Sequence, residues 1–155
     1  MSDKSLVDVL IGGDASLDLS LEELEGWGIA LGAAVSRPIV ITLKGDLGAG
    51  KTTLTRAICA GLGVVDVSAV TSPTFAILQE YAATNGPVTH ADLYRLRSEA
   101  ELDALGWDEI VDRAGVLIVE WPERTKRAWP TGTITIFLSY PEVGLESRVL
   151  QTGFV

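Results

Sequence analysis

Two uninterrupted apolar runs predict buried strands. The first spans Pro38 to Leu43, and the second spans Gly115 to Trp121 and ends in an acidic residue before its tryptophan. Runs of this length without alternation are typical of the central strands of a parallel sheet. A third segment, Thr133 to Ser139, has an aliphatic residue at every second position, as expected of a strand. The hydrophobic pattern therefore predicts a sheet with a buried centre.

Helical spacing predicts three helices. A capping box formed by Ser20 and Glu23 opens the first, which should continue to about Ser36. Its apolar face comprises Leu21, Leu24, Trp27, Gly28, Leu31 and Val35. The second helix carries Leu54, Ile58 and Leu62 near helical spacing, and Gly61 and Gly63 can end it. A second capping box, Ser98 to Glu101, opens a short helix that runs through Leu105. Trp27 is expected to be a core aromatic rather than a cofactor contact.

The remaining strand signals lie near the ends and in the middle of the chain. Leu6 to Ile11 is a short apolar run that predicts a first strand near a sheet edge, broken by glycines 12 and 13. Phe75 to Tyr81 and Val88 to Tyr94 flank an Asn-Gly-Pro turn and predict an antiparallel hairpin. Ser147 to Gln151 is a candidate last strand.

One glycine-rich stretch links the first buried run to the second helix. Gly45 to Thr53 fits the pattern G-x-x-x-x-G-K-[ST] of a phosphate-binding P-loop. Its glycines let consecutive N–H groups point inward, and the following helix presents its positive dipole end to the same anion. Lys51 would contact the β- and γ-phosphates, and the Thr52 hydroxyl would ligate Mg²⁺. We expect these residues to bind the nucleotide: Asp46, Leu47, Gly48, Ala49, Gly50, Lys51, Thr52 and Thr53.

The order of strand, glycine loop and helix sets the expected fold class. We predict an α/β fold of the P-loop NTPase type, a three-layer sandwich. Its mostly parallel central sheet should carry an antiparallel hairpin or edge. The 155 residues are expected to form a single domain, residues 1–155.

Composition narrows the function classes. Twelve basic against 21 acidic side chains give a net charge of −9, which disfavours unaided binding to nucleic acid or to anionic membranes. The single cysteine, Cys59, cannot form an internal disulfide. The first residues lack a secretory signal pattern, and no stretch approaches the roughly 20 apolar residues of a membrane span. These features favour a cytoplasmic protein.

Two acidic residues compete for the chemistry beside the P-loop. Glu120 ends an apolar strand, which would put it at the carboxyl edge of a parallel sheet beside the phosphates. Asp92 alternates with apolar residues in a strand-like run, and Glu120 ranks higher on local evidence. Either acid is alternatively a salt-bridged surface carboxylate. Thr71 or Thr74 could sense a γ-phosphate, although an ordinary polar turn fits equally well.

Other candidates carry a weaker signal. His90 is the sole histidine and no Cys/His cluster for zinc exists, so a structural role is the plainer interpretation. Arg95 could act as an internal arginine finger or form an ordinary salt bridge. Three basic residues between Glu123 and Trp129 could form a small docking patch.

Four ordered motifs together resemble one family. They are the P-loop, then Thr71-Ser72-Pro73-Thr74-Phe75, then His90-Ala91-Asp92-Leu93-Tyr94-Arg95-Leu96, then Glu120-Trp121-Pro122-Glu123. This set resembles the TsaE (YjeE) family of tRNA threonylcarbamoyladenosine biosynthesis, over about Pro38 to Ser139.

The resemblance implies an activity, cofactors and partners. It implies a small ATPase that uses ATP and Mg²⁺ and works with the TsaB–TsaD heterodimer, so that tRNA is met only through these partners. The resemblance further implies that TsaD transfers the threonylcarbamoyl group to adenosine 37 and that ATP hydrolysis resets the complex. By motif, Thr71 and its loop act as a switch, Asp92 and Glu120 serve the metal and the water, and Trp121 lies near the nucleotide. Metal binding falls to Thr52 and Glu120.

Three alternatives stay open on the residues alone. A GTPase is disfavoured because no N-K-x-D run is present. A small-molecule kinase usually carries an arginine-rich lid, whereas the 12 basic residues here are scattered. A nucleotide-dependent binding module with incidental hydrolysis is compatible with the sequence.

Overall fold

The computed structural model describes residues 6–11, 16–72 and 77–155, and within these ranges seven strands form one sheet. The strands are β1 (Leu17–Ser20), β2 (Ile39–Gly45), β3 (Leu78–Tyr81), β4 (Val88–Asp92), β5 (Val116–Glu120), β6 (Ile134–Ser139) and β7 (Ser147–Phe154). Their order across the sheet is β1-β7-β6-β2-β5-β4-β3. Strands β6, β2, β5 and β4 are mutually parallel, whereas β7 and β3 run antiparallel to their neighbours. The predicted parallel centre with an antiparallel hairpin at the edge is confirmed.

Helices cover both faces of this sheet. They are α1 (Leu6–Ile11), α2 (Leu21–Ala34), α3 (Lys51–Gly61), α4 (Glu99–Leu105) and α5 (Trp107–Arg113), with 3₁₀ turns at Val67–Ala69 and Pro122–Arg124. Helices α2 and α3 pack on one face around Leu31, Leu54 and Ile118. Helices α4 and α5 pack on the other, where Leu102 and Trp107 contact the sheet. The three-layer prediction is therefore confirmed.

The predicted first strand is wrong, because Leu6–Ile11 is helix α1. A six-residue apolar run fits either period, and tertiary packing decides between them. Here Val7, Leu10 and Ile11, at helical spacing, pack against the main core. The sheet edge is instead formed by β1, which pairs with β7 through Leu17 and Leu150.

Several boundaries follow the predicted local signals. The Glu23 amide donates to Ser20 Oγ at 3.1 Å, which confirms the first capping box. Helix α4 also begins after Ser98, but the serine side chain makes no capping hydrogen bond, so only the helix is confirmed. Helix α5 was not predicted; it starts after Gly106, whose φ of 72° needs a glycine. Strand β7 continues beyond the predicted end to Phe154, and the predicted break at glycines 12 and 13 lies outside the described residues.

The core explains where the functional edge lies. Ile41, Leu43 and Ile118 are fully buried, and Trp27 is 8% exposed, as expected of a core aromatic. Strands β2, β4 and β5 are parallel and therefore end at one edge of the sheet, beside the start of α3.

None of the helices in residues 6–11, 16–72 and 77–155 is long and apolar enough to cross a membrane.

Candidate functional site

The P-loop connects the end of β2 to the start of α3. Gly48 and Gly50 have φ angles of 79° and 104°, a region that side chains other than glycine rarely adopt. The Ala49 amide donates to the Asp46 carbonyl at 3.0 Å and closes the turn. Because the first helical amides have no intrahelical acceptor, the loop and the first turn of α3 present free donors to one concave space.

Lys51 lies at the centre of this space. Its Nζ donates to the carbonyl oxygens of Gly45 and Asp46 at 2.6 and 2.7 Å, and it lies 4.2 Å from the ring centroid of Trp121. Burial lowers the pKa of the Lys51 ammonium, while surrounding carboxylates, led by Glu120, act in the opposite direction. Trp121 itself has a φ of 59°, which is uncommon for a bulky residue.

Glu120 is the most enclosed carboxylate of the site. It ends β5 and is 1% exposed. One carboxylate oxygen, Oε1, accepts a hydrogen bond from Thr52 Oγ1 at 3.0 Å. The other, Oε2, lies 2.5 Å from His90 Nε2. Glu120, the acid that ranked higher on local sequence evidence, therefore accepts a hydrogen bond directly from the hydroxyl of the P-loop threonine.

Asp92 lies beside Glu120, because the two residues are paired in the register of β4 and β5. Its Oδ1 accepts from the Tyr94 amide at 3.0 Å. Partial burial raises the pKa of Asp92, and the Tyr94 hydrogen bond acts against that rise. Both predicted acids thus stand at the same edge of the sheet, in different surroundings.

These groups enclose one cavity of about 640 Å³. The predicted site residues that line it are Leu47, Gly48, Gly50, Lys51, Thr52, Thr53, Asp92, Glu120 and Trp121. Asp46 contributes its carbonyl to Lys51, and Ala49 is buried beneath the loop. The cavity is large enough for a nucleotide, since small-molecule sites occupy about 300 to 1,000 Å³.

Thr71 does not line the cavity. Its side chain is exposed to solvent. Its neighbour Ser72 does line the cavity, with Oγ 2.7 Å from Thr52 Oγ1. Thr74, the alternative switch residue, lies outside the described residues.

A buried tyrosine and histidine extend the site behind Glu120. His90 is fully buried, and its Nδ1 lies 3.0 Å from the Tyr81 hydroxyl. The same hydroxyl also lies 2.7 Å from Gln79 Oε1. Burial raises the pKa of Tyr81 to about 12, so its hydroxyl stays protonated at neutral pH. The sole histidine therefore contacts Glu120, one of the two candidate acids, and sequence reasoning missed this contact.

The P-loop is also braced from a distant part of the chain. Tyr140 donates its hydroxyl hydrogen to the Gly48 carbonyl at 2.8 Å, and Arg148 Nε donates to the Ala49 carbonyl at 2.9 Å. The Arg148 guanidinium stacks over the Tyr140 ring at 4.3 Å. No local motif predicts these contacts, because the partners lie more than 90 residues apart.

In the basic segment after β5, Arg124 and Lys126 are exposed, whereas Arg127 is held within the fold. Arg127 forms ion pairs with Glu99, Asp103 and Asp108, which ties the segment to α4 and α5. Arg124 lies 5.2 Å from the Tyr94 ring centroid. Arg95 does line the cavity, as its candidate role requires.

The donor set fits a magnesium–phosphate ligand better than a protein-caged metal. No group of three or more His, Cys, Asp or Glu side chains suited to a metal occurs in residues 6–11, 16–72 and 77–155. The Thr52 hydroxyl and the Glu120 carboxylate are hard oxygen ligands next to a nest of amides. Mg²⁺ is commonly held in this way, by one or two protein oxygens together with phosphates and water.

Comparison with known proteins identifies the family. A family model described as threonylcarbamoyl adenosine biosynthesis protein TsaE matches residues 19–148. The chain belongs to the TsaE family. It is 42% identical to the tRNA threonylcarbamoyladenosine biosynthesis protein TsaE of Bacillus subtilis over 109 residues, which are 70% of this chain and 66% of that protein. It is 36% identical to the Treponema pallidum TsaE over 121 residues, which are 77% of this chain and 86% of that protein.

A solved structure has a similar fold. The crystal structure of Bacillus subtilis YdiB matches with a TM-score of 0.64 and 30% sequence identity. The match covers 90% of this chain and 84% of YdiB. The resemblance to the TsaE family found in the sequence motifs is confirmed.

Proposed function

We propose that this TsaE-family chain is a P-loop ATPase that binds and hydrolyses Mg-ATP in support of the TsaB–TsaD complex during N6-threonylcarbamoylation of adenosine 37 in tRNA. One observation carries the proposal. Lys51, Thr52, Glu120 and Asp92 converge in a single cavity at the carboxyl ends of β2, β4 and β5. A nucleotide's terminal phosphates fit that arrangement of amides, ammonium and hydroxyl.

Each side chain has a role that follows from its contacts. Lys51 would turn from the carbonyls of Gly45 and Asp46 toward the β- and γ-phosphates, since an ammonium has three donors. Thr52 would ligate Mg²⁺ through its hydroxyl, with Glu120 accepting hydrogen bonds from Thr52 or from metal-bound water. The bound metal would offset the negative charge on the phosphates.

Asp92 is the better placed of the two acids to orient the attacking water. It is half-buried, whereas both oxygens of Glu120 already accept from side chains. The raised pKa of Asp92 brings this carboxylate closer to the range of a useful proton acceptor. Trp121 and Tyr94, whose ring centroids are 4.8 Å apart, would cover the phosphate end of the ligand.

Calorimetry and phosphate release test the proposal. We expect purified protein to bind Mg-ATP and Lys51→Ala to lose that binding, because the ammonium is the main cation facing the phosphates. Hydrolysis should be weak alone and stimulated by adding the TsaB–TsaD pair. Phosphate release without a small-molecule acceptor would distinguish an ATPase from a kinase.

Two results would contradict the proposal. If no heat of association with Mg-ATP is measured, with or without the partner pair, the protein has no Mg-ATP site. If turnover does not change when the pair is added, the protein is an ATPase but the proposed partnership is wrong. Thermal unfolding of Lys51→Ala provides the control for an intact fold.

A further inference from the structure

A chain of side-chain contacts joins the P-loop, Glu120 and two buried residues behind it. Thr52 Oγ1 contacts Glu120 Oε1 at 3.0 Å, and Glu120 Oε2 contacts His90 Nε2 at 2.5 Å. His90 Nδ1 contacts the Tyr81 hydroxyl at 3.0 Å. At the other end of the chain, Ser72 Oγ lies 2.7 Å from Thr52 Oγ1.

The middle of this chain of contacts is buried. His90 is fully buried, Glu120 is 1% exposed and Tyr81 is 8% exposed. Water cannot readily replace a lost partner at such positions, so each polar atom depends on the protein group that it contacts. Both ring nitrogens of His90 have partners, which fixes the orientation of the imidazole about its own axis.

The hydrogen-bond directions define what His90 does. A carboxylate only accepts, so His90 Nε2 carries hydrogen and donates to Glu120. The direction between Nδ1 and the Tyr81 hydroxyl depends on how the amide of Gln79 is oriented, since Tyr81 also contacts Gln79. Both directions leave the donation from Nε2 to Glu120 in place.

We propose that His90 is a positioning residue for Glu120, and that Tyr81 holds the imidazole of His90 in the orientation this requires. With Oε2 held by His90, Oε1 is the oxygen that Glu120 presents to Thr52 and to a metal shell. Groups that hydrogen-bond a metal-binding carboxylate in this way fix its geometry. The inference rests on the proposed function, because it assigns a role to His90 only if Mg-nucleotide occupies the site.

Two substitutions of His90 separate its two nitrogens. In His90→Gln the amide nitrogen can occupy the place of Nε2 and still donate to Glu120. In His90→Asn the shorter amide matches Nδ1, so it can reach Tyr81 but not Glu120. Calorimetry with a non-hydrolysable ATP analogue, with Mg²⁺ and with chelator, measures how much the metal adds to affinity. Steady-state phosphate release gives kcat and KM.

We expect His90→Asn to lower kcat and the Mg²⁺-dependent gain in affinity by about 10-fold or more, in the range typical for groups behind metal ligands. Affinity in chelator should stay close to the wild-type value, whereas the KM for Mg-ATP should rise with the loss of Mg²⁺-dependent affinity. His90→Gln should recover most of the loss. A purely structural histidine would instead change thermal stability in both variants and leave the metal dependence unchanged.

Tyr81→Phe tests the part of Tyr81 and serves if the His90 variants fail to fold. It removes the hydroxyl that contacts His90 Nδ1 while retaining the aromatic ring. We expect the Mg²⁺-dependent gain in affinity to fall, but by less than in His90→Asn, because Nε2 can still donate to Glu120. A metal dependence equal to that of the wild type in folded Tyr81→Phe would overturn the part of Tyr81.

The outcomes separate this inference from the proposed function. The wild type could bind Mg-nucleotide while folded His90→Asn and His90→Gln both show the same Mg²⁺ dependence of affinity as the wild type. In that case only the positioning role is overturned. If the wild type does not bind the analogue with or without Mg²⁺, the proposed function fails, and the role of His90 fails with it.

Discussion

Asp92 and Glu120 end adjacent parallel strands in register, yet their environments differ. Glu120 ends β5, which has β2 on one side and β4 on the other, and is 1% exposed. Asp92 ends β4, next to the short edge strand β3, and is only half-buried. The register of β4 and β5 brings the two carboxylates together. The place of each strand in the sheet, between β2 and β4 for β5 and next to the terminal strand β3 for β4, decides how far each carboxylate is exposed to solvent.

Their hydrogen-bond partners differ in the same way. Glu120 accepts from side chains on both neighbouring elements, Thr52 of α3 and His90 of β4. Asp92 accepts from the amide of Tyr94, two residues further along its own chain. A carboxylate held by distant side chains is suited to a fixed role beside a metal. One capped locally and open to the cavity is suited to contacting water.

The largest expected effects come from substitutions of Glu120, of which Glu120→Gln keeps the shape of the side chain and removes its charge. We expect kcat to fall by about 100-fold, at the upper end for groups that serve a bound metal. Nucleotide affinity in the presence of chelator should be retained. Phosphate release and calorimetry measure the two quantities. Normal turnover in this variant would mean that Asp92 is the acid that matters and would reverse the assigned roles.

Glu120→Ala is the harsher form of the same change. It should also spare nucleotide binding and remove hydrolysis, but it leaves His90 Nε2 buried without an acceptor. A buried donor without a partner costs about 1 to 3 kcal/mol. The alanine variant should therefore unfold at a lower temperature than the glutamine variant.

Asp92→Asn should have a smaller effect on turnover. We expect kcat to fall by about 10-fold, because water in the open cavity can partly replace an orienting carboxylate. The Mg²⁺ dependence of nucleotide affinity should match that of the wild type, in contrast to Glu120→Gln. Titrating Mg²⁺ at fixed nucleotide compares the two variants. An altered metal affinity in Asp92→Asn would show that both acids serve the metal.

The sequence predicted the parts of this site that local patterns encode. The P-loop follows from its glycine spacing, and the two acids follow from their positions at the ends of strand-like runs. The fold class follows from the same strand, loop and helix order. Each of these features depends on residues close together in the chain.

The rest of the site depends on long-range contacts. The brace formed by Tyr140 and Arg148 has no local signal, and neither does the contact of His90 with Glu120 across 30 residues. The strand predicted at Leu6–Ile11 was wrong for a related reason, since only packing on the core separates a short helix from a short strand.

The pH dependence of stability offers a finer test of the comparison. Because burial raises the pKa of Asp92 in the folded state, the folded protein holds this proton more tightly than the unfolded chain does. The Asp92 carboxylate therefore lowers stability as pH rises past the ordinary range of an aspartate. Asp92→Asn should gain stability relative to the wild type between acidic and neutral pH. Denaturant unfolding at several pH values measures the free energy of unfolding of both proteins. If Asp92 were well solvated, the difference between variant and wild type would not change with pH.

The smallest expected effect comes from Tyr140→Phe, which touches neither carboxylate. It removes one hydrogen bond to the Gly48 carbonyl and keeps the ring under Arg148. A partly exposed hydrogen bond contributes about 0.5 to 1.5 kcal/mol, so nucleotide affinity should weaken by no more than about 10-fold. Turnover at saturating nucleotide should not change, because Asp92 and Glu120 keep their partners. A fall in kcat at unchanged affinity would mean that the brace formed by Tyr140 and Arg148 acts on the carboxylates. The positions of Asp92 and Glu120 would then depend on that brace as well as on the register of β4 and β5.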